Sequence, residues 1–143
     1  MAAADDLDRV IEQYHQALDE FSRGNPDPVK EFYSARDDVA IANPFFPLTR
    51  GREQVVERLE RSVQNFRDGA VGFQNVGKWV SDELACIVEL EEWRTKVGGR
   101  EEVTPFTLRV TTLFRGEGGG WKVVHRHADP ITTARPAESV IPQ

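Results

Sequence analysis

Apolar residues in the first part of the chain recur at the spacing of a helix. Between residues 5 and 23 they stand three or four positions apart and form one stripe: Leu7, Val10, Ile11, Tyr14, Leu18 and Phe21. This periodicity predicts a long amphipathic helix that ends at Gly24. The cap and proline signals at residues 25–28 predict a short second helix, and a third helix is expected over residues 51–66.

The pattern changes to that of strands after residue 70. Four stretches rich in β-branched and aromatic residues are separated by the turn sequences SDE, GG and GEGGG, and they cover residues 71–80, 84–96, 103–114 and 121–129. Such stretches predict long antiparallel strands. A brief strand is predicted at 39–42, followed by an irregular aromatic-lined connection, because Pro44 and Pro47 disfavour a central strand. Three helices before a strand meander predict an α+β fold, with a curled sheet around a hollow interior.

Length and composition limit the classes of function. A chain of 143 residues has the length of one domain, which we predict over residues 1–130, before an extended or disordered tail at 131–143. The net charge of −6 and the lack of a basic run disfavour nucleic-acid binding. One cysteine, Cys86, allows no intrachain disulfide. We see neither a signal-peptide pattern nor a membrane-length apolar run, so we expect a cytoplasmic protein without membrane partners.

The stretch WKVVHRHAD, residues 121–129, carries the clearest candidate chemistry. On a strand, His125, His127 and Asp129 alternate with other residues and would share one side, which we expect to face the cavity. Metal binding is not expected, because no third ligand stands at a suitable spacing. Two interpretations remain open: His127 and Asp129 form a proton-transfer pair, or the histidines hydrogen-bond across the sheet while Asp129 caps the next turn.

Alternation along the second and third long strands places further polar residues. Glu91 and Trp93 share one face of the first of these strands, and a hairpin centred near residues 99–100 would set Glu91 about opposite Arg109. Since an unpaired buried charge is costly, Glu91 and Arg109 are expected to pair, either as a structural element or as a floor that orients a ligand. Trp93 and Phe45 would line an apolar mouth or fill the core.

The order of these elements and several strings resemble the nuclear-transport-factor-2-like superfamily, in particular its SnoaL-like members. The strings are ARDDVAIANP, LACIVELEEW, TLRVTTLF and GGGWKVVHRHADP, together with Gly51 before the third helix, and they cover about residues 5–130. The resemblance implies a cone-shaped α+β barrel of cystatin-like type. It also implies frequent dimerisation through the outer face of the sheet and a deep pocket that serves many unrelated tasks.

Two relatives within that superfamily sharpen the expectation. The resemblance to ketosteroid isomerases places Tyr14 at their helix-one tyrosine, Asn43 at their aspartate base and a residue near Thr111 at their second oxyanion donor. An amide cannot accept a proton at neutral pH, so we predict that this isomerase chemistry is absent. The association domain of calmodulin-dependent kinase II has a pocket lined by arginines, of which Arg109 matches one, while the others fall near Glu91 and Ala128.

We therefore expect a homodimer whose cavity binds a small hydrophobic or ring-shaped molecule without a cofactor. If a reaction occurs, we expect acid–base chemistry of isomerase, cyclase or hydratase type, with His127 and Asp129 as the proton-transfer pair. Tyr14 and Asn43 would donate hydrogen bonds, and Arg109 would orient an anionic group. The alternative is a noncatalytic module for ligand binding or dimerisation.

Overall fold

Three α-helices and a six-stranded sheet make up residues 4–142, the part of the chain that the computed structural model describes. The elements are α1 (Ala4–Phe21), α2 (Asp27–Lys30), β1 (Ala40–Asn43), β2 (Phe46–Arg50), α3 (Arg52–Ser62), β3 (Phe66–Val80), β4 (Leu84–Val97), β5 (Thr104–Glu117) and β6 (Gly120–Asp129). Residues 1–3 and Gln143, which belong to the predicted domain and tail, lie outside the described residues.

The sheet is mixed and open. Its strand order is β2-β1-β6-β5-β4-β3, in which β1 and β6 run parallel and all other neighbours run antiparallel. The predicted α+β fold is confirmed, but the sheet does not close into a barrel, because β2 and β3 remain as its two edges. The curl nevertheless brings the two ends together: the ring of Phe45, between β1 and β2, lies 5.9 Å from that of Phe66 at the start of β3.

The apolar stripe of α1 packs against the concave side of this sheet. Leu7, Tyr14, Leu18 and Phe21 are buried, whereas Val10 and Ile11 lie at the margin of the contact. The helix stops where Gly24 adopts a positive φ of 95°, a conformation that glycine reaches without strain. Among the described residues, no helix is long and apolar enough to cross a membrane.

Two predicted boundaries are wrong for local reasons. The segment after β1 is a strand, β2, and it tolerates Pro47 because it is an edge strand, where a missing N–H disturbs no ladder. β3 begins at Phe66 rather than at residue 71, because α3 ends at Ser62 rather than at residue 66, and Gly69 lies in an irregularity of that strand. A Cβ at Gly69 would lie 2.6 Å from the carbonyl oxygen of Ser22, so the approach of β3 to the end of α1 requires glycine.

A bulge in β6 decides which of its side chains enter the interior. On β5, Leu113 pairs with His125 and Phe114 with Val123, which leaves Val124 as an extra residue. One extra residue reverses the alternation of everything that follows it. The buried side chains of β6 that point inward are Trp121, Val123, Arg126 and Ala128. The side chains on the outer face beyond the bulge are His125, His127 and Asp129.

The predicted tail leaves the sheet after β6. Residues 130–142 are exposed throughout, and a short 3-10 turn forms at Ala137–Val140. The backbone N–H of Ile131 donates to Asp129 Oδ1 at 3.0 Å, so Asp129 holds the first turn of the tail, as one of the two interpretations above expected for this carboxylate.

Candidate functional site

A cavity of about 250 Å³ lies between the helices and the concave face of the sheet. All three helices contribute apolar side chains to it, namely Leu18, Phe21, Val29 and Leu59. An aromatic wall on the strands faces these helices: the Trp93 ring stacks on Phe106 at 5.6 Å and lies 5.3 Å from Phe66. Phe45, which is 53% exposed, and Pro130 mark the opening. The cavity is therefore apolar, and its wall on the strands is aromatic.

One end of the cavity is polar and centres on a buried ion pair. Arg126 is turned inward by the bulge and donates from Nη1 to Glu91 Oε2 at 2.7 Å and from Nη2 to Glu91 Oε1 at 2.8 Å. The indole N–H of Trp93 donates to the same carboxylate at 3.0 Å. Arg126 reaches the cavity wall, whereas Glu91 is fully buried and does not. The two-armed geometry makes this a well-matched pair.

Asn43 and two tyrosines extend the polar end. Arg126 Nε donates to Asn43 Oδ1 at 3.2 Å, and because a guanidinium only donates, this contact leaves the Asn43 NH₂ group free to donate. The hydroxyl oxygens of Tyr14 and Tyr33 lie 3.4 Å apart. Tyr33 lines the cavity, and Tyr14 lies fully buried beside it.

Burial disfavours ionisation of both phenols. It raises the pKa of Tyr14 and raises the pKa of Tyr33 well above the ordinary value, although the Arg126 charge opposes the shift in each case. Burial alone would lower the pKa of Arg126, but the Glu91 carboxylate outweighs it, and the pKa of Arg126 lies well above its usual value. At neutral pH the polar end therefore consists of a charged guanidinium, its partner carboxylate, and neutral hydroxyl and amide groups.

The structure brings together only some of the predicted site residues. Asn43, Phe45 and Trp93 line the cavity, while Tyr14 and Glu91 support its polar end. The predicted pair of Glu91 with Arg109 is wrong, because the β4–β5 register sets Glu91 opposite Leu108 and Arg109 opposite Leu90. A shift of one residue moves a side chain to the other face of a sheet, so Arg109 lies outside the cavity.

The late-strand residues form a separate outer cluster. Arg109 Nε donates to Asp129 Oδ1 at 2.6 Å, and His127 Nε2 lies 3.5 Å from Asp129 Oδ2. His127 is 55% exposed, and the His125 ring contacts the carbonyl oxygen of Ala40 at 2.9 Å. The expectation that these side chains face the cavity is wrong, because the Val124 bulge reverses their direction. A proton-transfer role for His127 and Asp129 stays a prediction, and it concerns the outer face of the sheet.

Sequence reasoning missed Arg126 and Tyr33, the two polar residues that define the end of the cavity. Strict alternation along residues 121–129 predicts that Arg126 lies on the outer side, and the Val124 bulge reverses this direction. One signal in the sequence pointed to Arg126: Glu91 shares one side of its strand with Ile87 and Trp93 and needs a buried cation there. The chain offers two strand arginines within reach, Arg109 and Arg126.

A second inward carboxylate lies nearer to the surface. Glu89 is buried on the same face of β4 as Glu91, and its Oε2 lies 2.7 Å from His15 Nε2. The His15 ring stacks on Phe73 with 3.7 Å between centroids. Neither residue lines the cavity, so this contact between α1 and β4 lies beside the site rather than within it.

Comparisons with known proteins agree with this architecture. A family model described as a SnoaL-like domain matches residues 7–132. No curated protein matches the sequence.

Solved structures show the same fold at low identity. A protein of the nuclear transport factor 2-like superfamily from Salmonella enterica serovar Typhimurium aligns with a TM-score of 0.75 at 16% identity, covering 90% of each chain. A proposed dehydratase of that family from Streptomyces avermitilis gives 0.72 at 17%, covering 90% of this chain and 96% of its own. A ketosteroid isomerase-like protein from Erwinia carotovora atroseptica gives 0.69 at 18%, covering 88% and 94%.

The buried ion pair generates a stability prediction. In Glu91→Leu, Arg126 keeps its charge in the interior without a partner, and we expect the free energy of unfolding to fall by about 3–5 kcal/mol. In the double variant Glu91→Leu/Arg126→Met neither charge remains, so the loss should be much smaller than the sum of the single losses. Urea unfolding of the four proteins measures this coupling.

Arg109→Met is the matched control for the double-mutant cycle. It removes an arginine from an exposed pair with Asp129, so the unfolding midpoint should hardly move. Simple additivity of the two single losses in the double variant would contradict the assigned pairing of Glu91 with Arg126.

The two tyrosines generate a pH prediction, because Tyr14 and Tyr33 are the only tyrosines of the chain. Their folded pKa values lie above the ordinary value of 10, so the unfolded chain loses these protons first as the pH rises. Stability should be independent of both phenols below about pH 10 and should fall above it. Tyrosinate absorbance should rise only together with unfolding. In denaturant both phenols should titrate near their ordinary pKa. A rise in tyrosinate absorbance near that pH while the protein is still folded would contradict the burial of the two side chains.

Proposed function

The chain belongs to the family of SnoaL-like domains, and on that basis we propose that it binds one small, largely apolar molecule in the cavity, with the polar end of that molecule at Arg126. The observation that carries the proposal is the pairing of an apolar chamber with a single polar end whose charges are buried and hydrogen-bonded. Concave apolar walls with a few convergent polar groups are typical of small-molecule sites.

The volume limits the size of the ligand. An apolar cavity of about 150 Å³ holds benzene, and drug-sized ligands occupy pockets of roughly 300–1,000 Å³. The present cavity, at about 250 Å³, lies between these values. A molecule of one or two rings fits this space, and the aromatic wall of Trp93, Phe106 and Phe66 offers ring faces and edges for it to contact.

The chemistry of the wall supports binding more strongly than turnover. Isomerase-, cyclase- or hydratase-type reactions need a base at the ligand. Among the described residues that line the cavity, none is a carboxylate or an imidazole; the polar ones are Tyr33, Asn43, Ser62 and Arg126. Glu91, the nearest inward acid, is held by Arg126 and Trp93. Ligand binding with polarisation of an acceptor group is the function that this arrangement favours.

A binding experiment tests the proposal. The bicyclic ketone 1-indanone should bind the wild-type protein and stabilise it by about 2.7 kcal/mol at a free concentration of 100 Kd. Val97→Trp should abolish this binding, because Val97 is a half-buried residue of the cavity wall and the larger ring fills the space. Calorimetric titration and thermal unfolding provide the measurements.

Val103→Trp is the matched control, since Val103 is exposed in the β4–β5 turn and away from the cavity. It should bind 1-indanone as the wild type does. If no one- or two-ring probe binds, or if Val97→Trp and Val103→Trp bind alike, the cavity is not the ligand site.

We also infer that two copies of the chain associate through the outer face of the sheet. Val76 and Trp79 on β3 are 62% and 60% exposed, and Leu84 at the start of β4 is 47% exposed. Gly77 leaves room for the Trp79 ring to lie across the strand. An exposed apolar area of this kind is typical of a protein–protein contact.

Light scattering tests the dimer. The wild-type protein should have the mass of two chains, and Trp79→Glu should have the mass of one, because a carboxylate at the centre of the apolar area is costly to desolvate. Val103→Glu places the same carboxylate at an exposed valine outside this apolar area, and this variant should remain dimeric. A monomeric wild type at micromolar concentration would contradict the inference.

A further inference from the structure

We propose that the cavity selects uncharged ligands that carry an acceptor oxygen, and that Glu91 is the residue that sets this selectivity. The inference rests on the proposed function and adds the chemical class of the ligand. It follows from the partners of Arg126, whose charge and most of whose N–H groups are engaged by neighbouring residues of the chain.

The charge of Arg126 is neutralised before a ligand arrives. Both arms of the guanidinium bind Glu91, and both residues are buried. Among the described residues of the cavity wall, Arg126 is the only charged one. A carboxylate ligand would therefore compete with Glu91 for one cation and place two negative charges beside each other away from water, which is strongly unfavourable.

The polar end is richer in hydrogen-bond donors than in acceptors. A guanidinium has five N–H groups, of which two bind Glu91 and one binds Asn43, so two remain for Tyr14 and for a ligand. The Asn43 NH₂ group adds a donor on the same wall. A ligand that ends in an ammonium group would leave donors facing donors, whereas a ketone, aldehyde, ester or amide oxygen would accept from them.

Glu91 thus acts as a specificity-determining residue without touching the ligand. It removes the net positive charge of Arg126 while leaving one of its N–H groups without a protein partner at the cavity wall. Replacing its carboxylate by the isosteric amide would keep an acceptor for Arg126 but restore the net positive charge at the wall. The preference should then shift from a carbonyl to a carboxylate of the same shape.

Three matched one-ring probes test this: acetophenone, benzoate and benzylamine, each used at pH 7 to displace 1-indanone. On the wild-type protein acetophenone should bind about tenfold or more tightly than benzoate or benzylammonium. In Glu91→Gln the affinity for benzoate should rise about tenfold or more relative to acetophenone. In Glu91→Gln/Arg126→Gln, which carries neither charge, benzoate should gain nothing, and this separates a charge effect from a loosened cavity.

The outcomes distinguish this inference from the proposed function. If none of the probes, including 1-indanone, binds the wild-type protein, the proposed function fails. If acetophenone and benzoate both displace 1-indanone and benzoate binds as tightly or more tightly, only the selectivity is overturned. Should Glu91→Gln unfold, the wild-type comparison alone still decides, because equal or tighter binding of benzoate there contradicts a neutralised Arg126.

Discussion

A carboxylate buried behind the wall of an apolar cavity needs a cation as its partner, and much of this site is arranged around that requirement. Glu91 points inward from β4, where its charge has no access to water. The cation comes from β6, two strands away in the sheet, and reaches Glu91 only because the Val124 bulge turns Arg126 inward. The indole of Trp93 and the amide of Asn43 then complete the hydrogen bonds of the pair, as a buried ion pair requires.

The same ion pair also explains why a cavity remains beside it. Its hydrogen bonds fix Arg126 and Trp93 in place, and Trp93 in turn stacks on Phe106 and contacts Phe66. These rings form a wall on the sheet side, and the apolar stripes of the helices form the other. Because the sheet remains open between β2 and β3, the rim near Phe45 leaves an entrance rather than a closed core.

Periodicity predicted the elements well and the faces of the last strands poorly. The spacing of Leu7, Tyr14 and Leu18 has one physical cause, burial of a helix stripe, so the sequence reveals it directly. The direction of Arg126 and His127 depends instead on a bulge, and the pairing of Arg109 depends on a register set over the whole β4–β5 ladder. Both are decided by long-range pairing, and an error of one residue exchanges the inside of the sheet for the outside.

That exchange changes the functional conclusion and not only the geometry. With His127 and Asp129 inward, the cavity would contain a base and an acid, and proton transfer would be its natural chemistry. With Arg126 inward, the cavity contains a guanidinium whose partner carboxylate is already engaged, and this arrangement supports our proposal that the cavity holds an acceptor group. Structural neighbours below 20% identity share the fold but do not choose between these chemistries. One extra residue in β6 makes the difference, because it determines which side chains of that strand face the cavity.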